Sequence, residues 1–129
     1  MTSNLRAAAI VLCVVQAGCG KGSDSSPTAP SNASGVSGAT ITIAGRAVSP
    51  KAVTINKGER VTFVNNDTVA HTMSSDPHPA HTDCPALNIG TLGPGQQHDS
   101  GVLNTVRMCG FHDHDDADNL ALHGTVTIQ

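Results

Sequence analysis

Short segments in which apolar and polar residues alternate constrain the fold of this chain more than any other feature. They lie at 40–43, 53–55, 61–64 and 124–128, and Val, Ile and Thr dominate them. Successive side chains of a strand point to opposite faces, so alternation rich in β-branched residues predicts half-buried strands. No segment carries an apolar stripe long enough for a three-turn helix. Strands spaced regularly between turn residues predict an all-β fold, an antiparallel β-sandwich.

The amino-terminal region has a different pattern, typical of export. Arg6 precedes an apolar run at 7–15, which is too short to cross a bilayer as a helix because a span takes about 20 apolar residues. The sequence Val-Gln-Ala-Gly-Cys at 15–19 resembles the lipobox of bacterial lipoproteins. That resemblance implies a lipoprotein signal peptide at 1–18 and lipidation of Cys19, with an ordinary secretory signal as the alternative. We therefore predict a protein held at a membrane by its lipid, in the periplasm or at the cell surface.

A polar segment separates this export signal from the alternating region. Residues 20–38 are almost all Gly, Ser, Pro, Ala, Asn or Thr, a composition that buries too little apolar surface to offset the entropy of ordering. We predict a flexible tether at 19–38, including the lipidated Cys19, and one folded domain at 39–129. We expect the protein to be a monomer.

The composition of the 129 residues excludes several classes of function. Seven Lys and Arg stand against ten Asp and Glu, so there is no basic excess to bind nucleic acid. Two Phe and no Trp or Tyr leave little aromatic surface on which a flat cofactor or an unpaired base could stack.

Histidine and cysteine are concentrated in the carboxyl-terminal half. All seven His lie between His71 and His123. Imidazole and thiolate together suit copper or zinc better than ions that prefer oxygen. The candidate ligands form three groups: His71 with Met73; His78, His81 and Cys84; and Cys109, His112 and His114.

Two of these groups resemble the copper site of the cupredoxins, the small blue copper proteins. The strand and Asn-rich turn at 61–67, which lead into His71, are similar to the first half of that site, and the segments 108–114 and 122–126 to the second half. The resemblance covers 39–129. It implies a cupredoxin-like Greek-key β-sandwich that binds one copper ion through His71, Cys109 and His112, with His114 as the alternative to His112.

The function implied by this resemblance is one-electron transfer with a redox partner protein, without substrate turnover. The sequence departs from the family pattern at Leu122, which occupies the position of the usual axial Met. We therefore predict a type 1-like site that lacks an axial Met, with Met73 and Met108 as possible substitutes. The segment after Cys109 is also longer than is usual in the family, which leaves the choice between His112 and His114 open.

A disulfide between Cys84 and Cys109 is the main alternative. Once the signal is removed and Cys19 is lipidated, two thiols remain, and an exported domain most often joins such a pair. The bridge would deprive copper of its thiolate. His71, His112 and His114, with His78 or His81, could then form an all-imidazole site suited to holding or delivering copper.

Three further interpretations remain open. The spacing His78-x-x-His81-x-x-Cys84, with Cys109 as a fourth ligand, could bind zinc. His112-Asp113-His114 resembles the His-x-His strand of copper,zinc superoxide dismutase. A purely structural β-sandwich would explain the strands, but it would leave the clustering of His with Cys unexplained.

Overall fold

The computed structural model describes residues 37–129. The predicted signal peptide, the lipidation site Cys19 and the tether up to residue 36 lie outside the described residues. The first strand begins at Ser37, two residues before the predicted start of the domain. Within 37–129, no helix has the length and apolar character needed to cross a membrane.

The described residues form nine strands, and the all-β prediction is confirmed. The strands are β1 (Ser37–Ala44), β2 (Ala47–Ser49), β3 (Ala52–Ile55), β4 (Arg60–Asn65), β5 (His71–Ser75), β6 (Gly90–Leu92), β7 (Gln97–Asp99), β8 (Arg107–Asp113) and β9 (Gly124–Ile128). Three single-turn 3-10 helices lie in the connections, at Pro85–Leu87, His114–Asp116 and Leu120–Leu122.

The strands make two sheets that form a sandwich, as predicted. The first sheet has the order β2-β1-β4-β7, and the second has the order β3-β9-β8-β5-β6. Both sheets are mixed rather than wholly antiparallel, because β1 pairs in parallel with β4 and β3 in parallel with β9. The first parallel pair arises because the chain leaves the first sheet for β3 and re-enters it at β4. Alternation within one strand carries no information about the direction of its neighbours.

The core lies between the two sheets and consists of the apolar members of the alternating segments. Ile41, Ile43 and Val126 are fully buried. Phe63 of the first sheet meets Phe111 of the second edge to face, with ring centroids 5.3 Å apart. Each such side chain contributes about 1.5 to 3 kcal/mol when it is removed from water.

Strand β8 has two faces with different surroundings. Phe111 faces the first sheet, so alternation also turns Cys109 and Asp113 inward, whereas Gly110 and His112 face outward. Phe111 pairs with Gly124 of β9, where a Cβ atom would collide with the Phe111 ring and lie 2.5 Å from the carbonyl oxygen of Lys51. A glycine at 124 is therefore needed to seat the aromatic ring and fix the register of the two strands.

The connection between β5 and β6, residues 76–89, is tied to β8 by a backbone hydrogen bond and a disulfide, among other contacts. The Asp76 N–H donates to the Gly110 carbonyl oxygen at 3.1 Å, and a disulfide joins Cys84 to Cys109. The Asp83 N–H donates to the carbonyl oxygen of Asp76 at 2.9 Å, which closes the first half of this loop. These bonds give a long irregular segment a defined course next to β8.

Candidate metal centre

Four imidazoles gather beside the outward face of β8, and we call them the outer-face histidine cluster: His78, His81, His112 and His114. Ligand atoms of the first three lie within 4.8 Å of one another. The fourth joins through a contact of 2.8 Å between its Nδ1 and Nε2 of His81. His112 comes from β8, His114 from the 3-10 helix that follows it, and the other two from the 76–89 loop. The cluster therefore assembles residues that are distant along the chain.

One ring nitrogen of His112 has a hydrogen-bond partner, and the other has none among the described residues. Its side chain is 1% exposed, and its Nδ1 lies 2.6 Å from Oδ1 of Asp76. Because a carboxylate only accepts, the proton belongs on Nδ1 and Nε2 keeps its lone pair. That Nε2 is buried without a hydrogen-bond partner. Burying such an atom unpaired costs about 1 to 3 kcal/mol, and a metal ion is a partner that would remove this cost.

His81 has a similar arrangement with a backbone acceptor. Its Nδ1 donates to the carbonyl oxygen of Ser75 at 2.9 Å, so its Nε2 also carries a lone pair and accepts from Nδ1–H of His114. The backbone of His81 is in the left-handed region, with φ of 51°, which is unusual for a residue other than glycine. The His81 N–H donates to the Pro77 carbonyl oxygen at 2.8 Å and closes the turn that holds it there.

His78 is the exposed member of the cluster. Its ring centroid lies 5.0 Å from that of His114 and 5.5 Å from those of His81 and His112. Its pKa is lowered, first because neighbouring atoms displace water from the ring, and then because His114, His112 and His81 would repel its positive charge. A lowered pKa favours the neutral imidazole, which is the form that binds a metal ion.

His71 lies elsewhere, in what we call the inner-face pair with Asp113. His71 Nδ1 is 2.7 Å from Oδ2 of Asp113, and the two side chains are 3% and 2% exposed. The other ring nitrogen, Nε2, lies 3.4 Å from Oδ2 of Asp67. Within the predicted set of His71, Cys109 and His112, the structure places His71 between two carboxylates on the inward side of β8, whereas His112 faces outward.

Cys109 is fully buried in the middle of β8, where its sulfur is bonded to that of Cys84. Of the two alternatives that the sequence left open for Cys109, the structure contains the disulfide and not the free thiolate. The four-ligand zinc set is not assembled either, because both of its sulfurs are in this bridge. Leu122 is fully buried, and the proposed substitute Met108 is exposed.

Sequence reasoning placed His112 and His114 in the site and gave His78 and His81 only as further candidates. It missed Asp76, whose contact with His112 depends on how the 76–89 loop folds back onto β8. The close spacing of His78 and His81 was the feature of the sequence that indicated metal binding by this loop. No spacing rule links Asp76 to a histidine 36 positions later.

The sequence matches no protein-family model and no curated protein. Solved structures do match. They include the purple cupredoxin of Nitrosopumilus maritimus, at 21% identity and a TM-score of 0.58 over 70% of this chain and 99% of that one. The oxidised plastocyanin of Dryopteris crassirhizoma matches at 19% identity and 0.55 over 70% and 99%. The Cu(I) form of an amicyanin variant matches at 15% identity and 0.54 over 75% and 85%. The described domain of this chain therefore has the cupredoxin fold.

Proposed function

We propose that this protein is an exported, lipid-anchored copper-holding protein that binds one copper ion through the outer-face histidine cluster. The main support is the buried Nε2 of His112, which lacks a hydrogen-bond partner while Nδ1 of the same ring is held by a carboxylate. Metal-binding histidines characteristically donate their other ring N–H in this way. The anchor at Cys19 remains a prediction from the sequence.

Copper is favoured over zinc by the donor set. Imidazole nitrogens bind both ions, but at a given site copper(II) binds more tightly than zinc. Structural zinc sites usually close a tetrahedron with cysteine, and here both sulfurs are in the disulfide. The fold adds support, because the similar amicyanin structure is described as a Cu(I) form.

Holding or delivery is favoured over electron transfer by the state of Cys109. A type 1 site uses a thiolate with two imidazoles, and this sulfur is bonded to Cys84. The disulfide also joins the loop that carries His78 and His81 to the strand that carries His112. In this arrangement the sulfurs would hold the site together without being ligands.

Bound copper would supply a redox-active cation that favours nitrogen ligands. Residues of the protein position the ligands and fix their protons. Asp76 and the Ser75 carbonyl oxygen keep the protons of His112 and His81 on Nδ1. From the 76–89 loop, the His81 ring stacks on the buried His112 ring with centroids 5.0 Å apart. The exposed His78 would be the point at which the ion enters and leaves, which suits delivery to another protein.

The test is a titration of the mature lipidated protein with cupric ion, with free thiols counted in the same sample. We expect one ion per chain, weak visible absorption and no titratable thiol in the oxidised protein. Intense colour together with two titratable thiols after metal removal would contradict the proposal and support electron transfer. Binding of no copper would also overturn it.

A pair of variants tests the location of the ion. His81→Asn removes Nε2 but keeps an N–H that can donate to Ser75, and Asn tolerates the left-handed backbone. The control is His98→Asn, because His98 is exposed on β7 of the first sheet. We expect the first variant to lose at least about 10-fold in copper affinity and the second to match the wild type. Equal affinities would place the ion elsewhere.

A further inference from the structure

We propose that Asp76 is the positioning residue of this site: its carboxylate, seated in the space above Gly110, holds a proton on Nδ1 of His112 and thereby makes Nε2 the metal donor. The metal-related half of this inference rests on the proposed function. The position of the proton is a property of the metal-free protein and can be tested without any metal.

Three contacts place the carboxylate. The backbone of Asp76 donates to the Gly110 carbonyl oxygen and accepts from the Asp83 N–H. The side chain reaches His112, with 2.6 Å between Oδ1 and Nδ1. The Asp76 side chain is 43% exposed, whereas that of His112 is 1% exposed. The carboxylate therefore remains hydrated on one side, which lowers the cost of keeping its charge, while the imidazole that it orients is buried.

Gly110 leaves the space that the Asp76 carboxylate occupies. It lies on the same outward face of β8 as His112, two residues earlier. A Cβ atom at this position would overlap Oδ2 of Asp76 and lie 2.8 Å from its Cγ. Gly110 is in ordinary strand conformation, so its backbone does not require glycine. The reason for glycine here is steric: any side chain would displace the carboxylate from His112.

To fix the proton on Nδ1 of His112, the group at position 76 must be able only to accept a hydrogen bond. A carboxylate cannot donate, so only the tautomer with the proton on Nδ1 satisfies the contact. An amide in its place could turn its NH2 toward the ring and so also accommodate the tautomer with the proton on Nε2. A carboxylate bonded to the distal N–H also makes the other nitrogen a stronger donor, and loss of such a partner typically lowers metal affinity by about 10- to 100-fold.

A purely structural role for Asp76, as an anchor of the loop, makes a different prediction. An anchor would affect stability and leave the tautomer of His112 unchanged. Asp83 provides the matched control, since it lies in the same loop and pairs through its carboxylate with Arg107 without contacting the cluster.

The experiment uses 15N NMR of the histidine rings in the metal-free, oxidised protein, followed by cupric titration. In the wild type we expect His112 to carry its proton on Nδ1 alone. In Asp76→Asn and Gly110→Ala we expect a mixture of tautomers and a loss of copper affinity of about 10- to 100-fold. Asp83→Asn should show the wild-type signature and affinity.

The double variant tests whether Gly110 acts through Asp76. Because both changes act on the carboxylate at position 76, we expect Gly110→Ala to lower affinity little further when Asp76 is already Asn. If Gly110→Ala does not fold, Asp76→Asn carries the test alone, and formation of the disulfide reports folding.

Three results would overturn the inference: a wild-type His112 protonated on Nε2, an unchanged tautomer in Asp76→Asn, or an equal effect of Asp83→Asn. A wild-type protein with the expected tautomer that binds no copper would refute the proposed function and the metal role of Asp76. It would leave intact the finding that Asp76 holds the proton. The two failures are thus distinguishable.

Discussion

The inner-face pair and the outer-face histidine cluster contain adjacent residues of β8, Asp113 and His112. Their histidines differ in whether both ring nitrogens have a polar partner. Both ring nitrogens of His71 face carboxylate oxygens. His112 has a carboxylate on one nitrogen only, and its other nitrogen is buried without a partner. The fold thus leaves His112 with a buried nitrogen that has no partner among residues 37–129, and it leaves His71 with no such nitrogen.

The largest expected effect tests the structural role of the inner-face pair. Asp113→Ala removes the acceptor of His71 Nδ1, of the Thr72 N–H and of the Asp115 N–H. Since Asp113 and His71 are both buried, we expect the free energy of unfolding to fall by about 3 to 5 kcal/mol, as measured by urea denaturation. Copper affinity at 25 °C should fall less than in His112→Asn, because the Asp113 side chain reaches the cluster only through the cap of the 3-10 helix that carries His114. A stable variant that no longer binds copper would reverse the roles we assign to the two regions.

The next effect concerns the disulfide that joins the loop to β8. Replacing Cys84 and Cys109 together by Ala removes a bridge across a sequence separation of 25. We expect a loss of about 3 kcal/mol in unfolding free energy, measured by urea denaturation against wild type under oxidising conditions. Copper binding should persist with reduced affinity, because the sulfurs are not ligands. Complete loss of binding in a folded double variant would contradict the expectation that the imidazoles bind the ion without the bridge.

A matched pair of substitutions compares the two histidines directly. Asn at either position keeps an N–H close to the place of Nδ1 and removes Nε2. We expect His112→Asn to lower copper affinity by about 100-fold, because it removes the free donor, and His71→Asn to leave affinity unchanged. Competition with a chromophoric chelator measures both. The comparison fails if His71→Asn is the variant that loses the metal.

The smallest expected effect is a pH dependence of folding stability that comes from Asp67, next to the inner-face pair. The pKa of Asp67 is lowered from its ordinary 3.8, first by the backbone N–H groups of Arg46 and Thr68 and then by His71. The folded state therefore favours the charged form of Asp67. The stability that this carboxylate adds to the fold is present above pH 3.8 and is lost as the pH falls through the lowered pKa. Melting curves from about pH 7 to about pH 2 should show the wild type and Asp67→Asn converging in acid. A difference that widens in acid would contradict this assignment.

The sequence predicted the fold well because alternation is a local signal. Ile41, Ile43 and Phe63 were identifiable as inward-facing from their own neighbours, and they form the core. The two parallel pairings escaped prediction because they depend on the route of the chain between sheets. The direction of a neighbouring strand is not encoded in any short pattern.

The sequence named the members of the outer-face histidine cluster but not their arrangement. His112 and His114 were named, and His78 and His81 were recognised as candidates, because their residue type suits copper. His71 was assigned to the same ion on the strength of its motif, but Asp113 and Asp67 occupy both of its nitrogens. The role of Asp76 could not be foreseen, since it depends on a loop that closes over Gly110.

The alternation of β8 sets a rule about insertions as well as substitutions. Moving the strand by a single residue would turn the imidazole of His112 toward the aromatic interior and the carboxylate of Asp113 toward the loop. The Phe111 ring against Gly124 and the sulfur bond at Cys109 both resist such a slip. The spacing from Cys109 to Asp113 should therefore tolerate neither a gained nor a lost residue, even where an individual side chain can be exchanged.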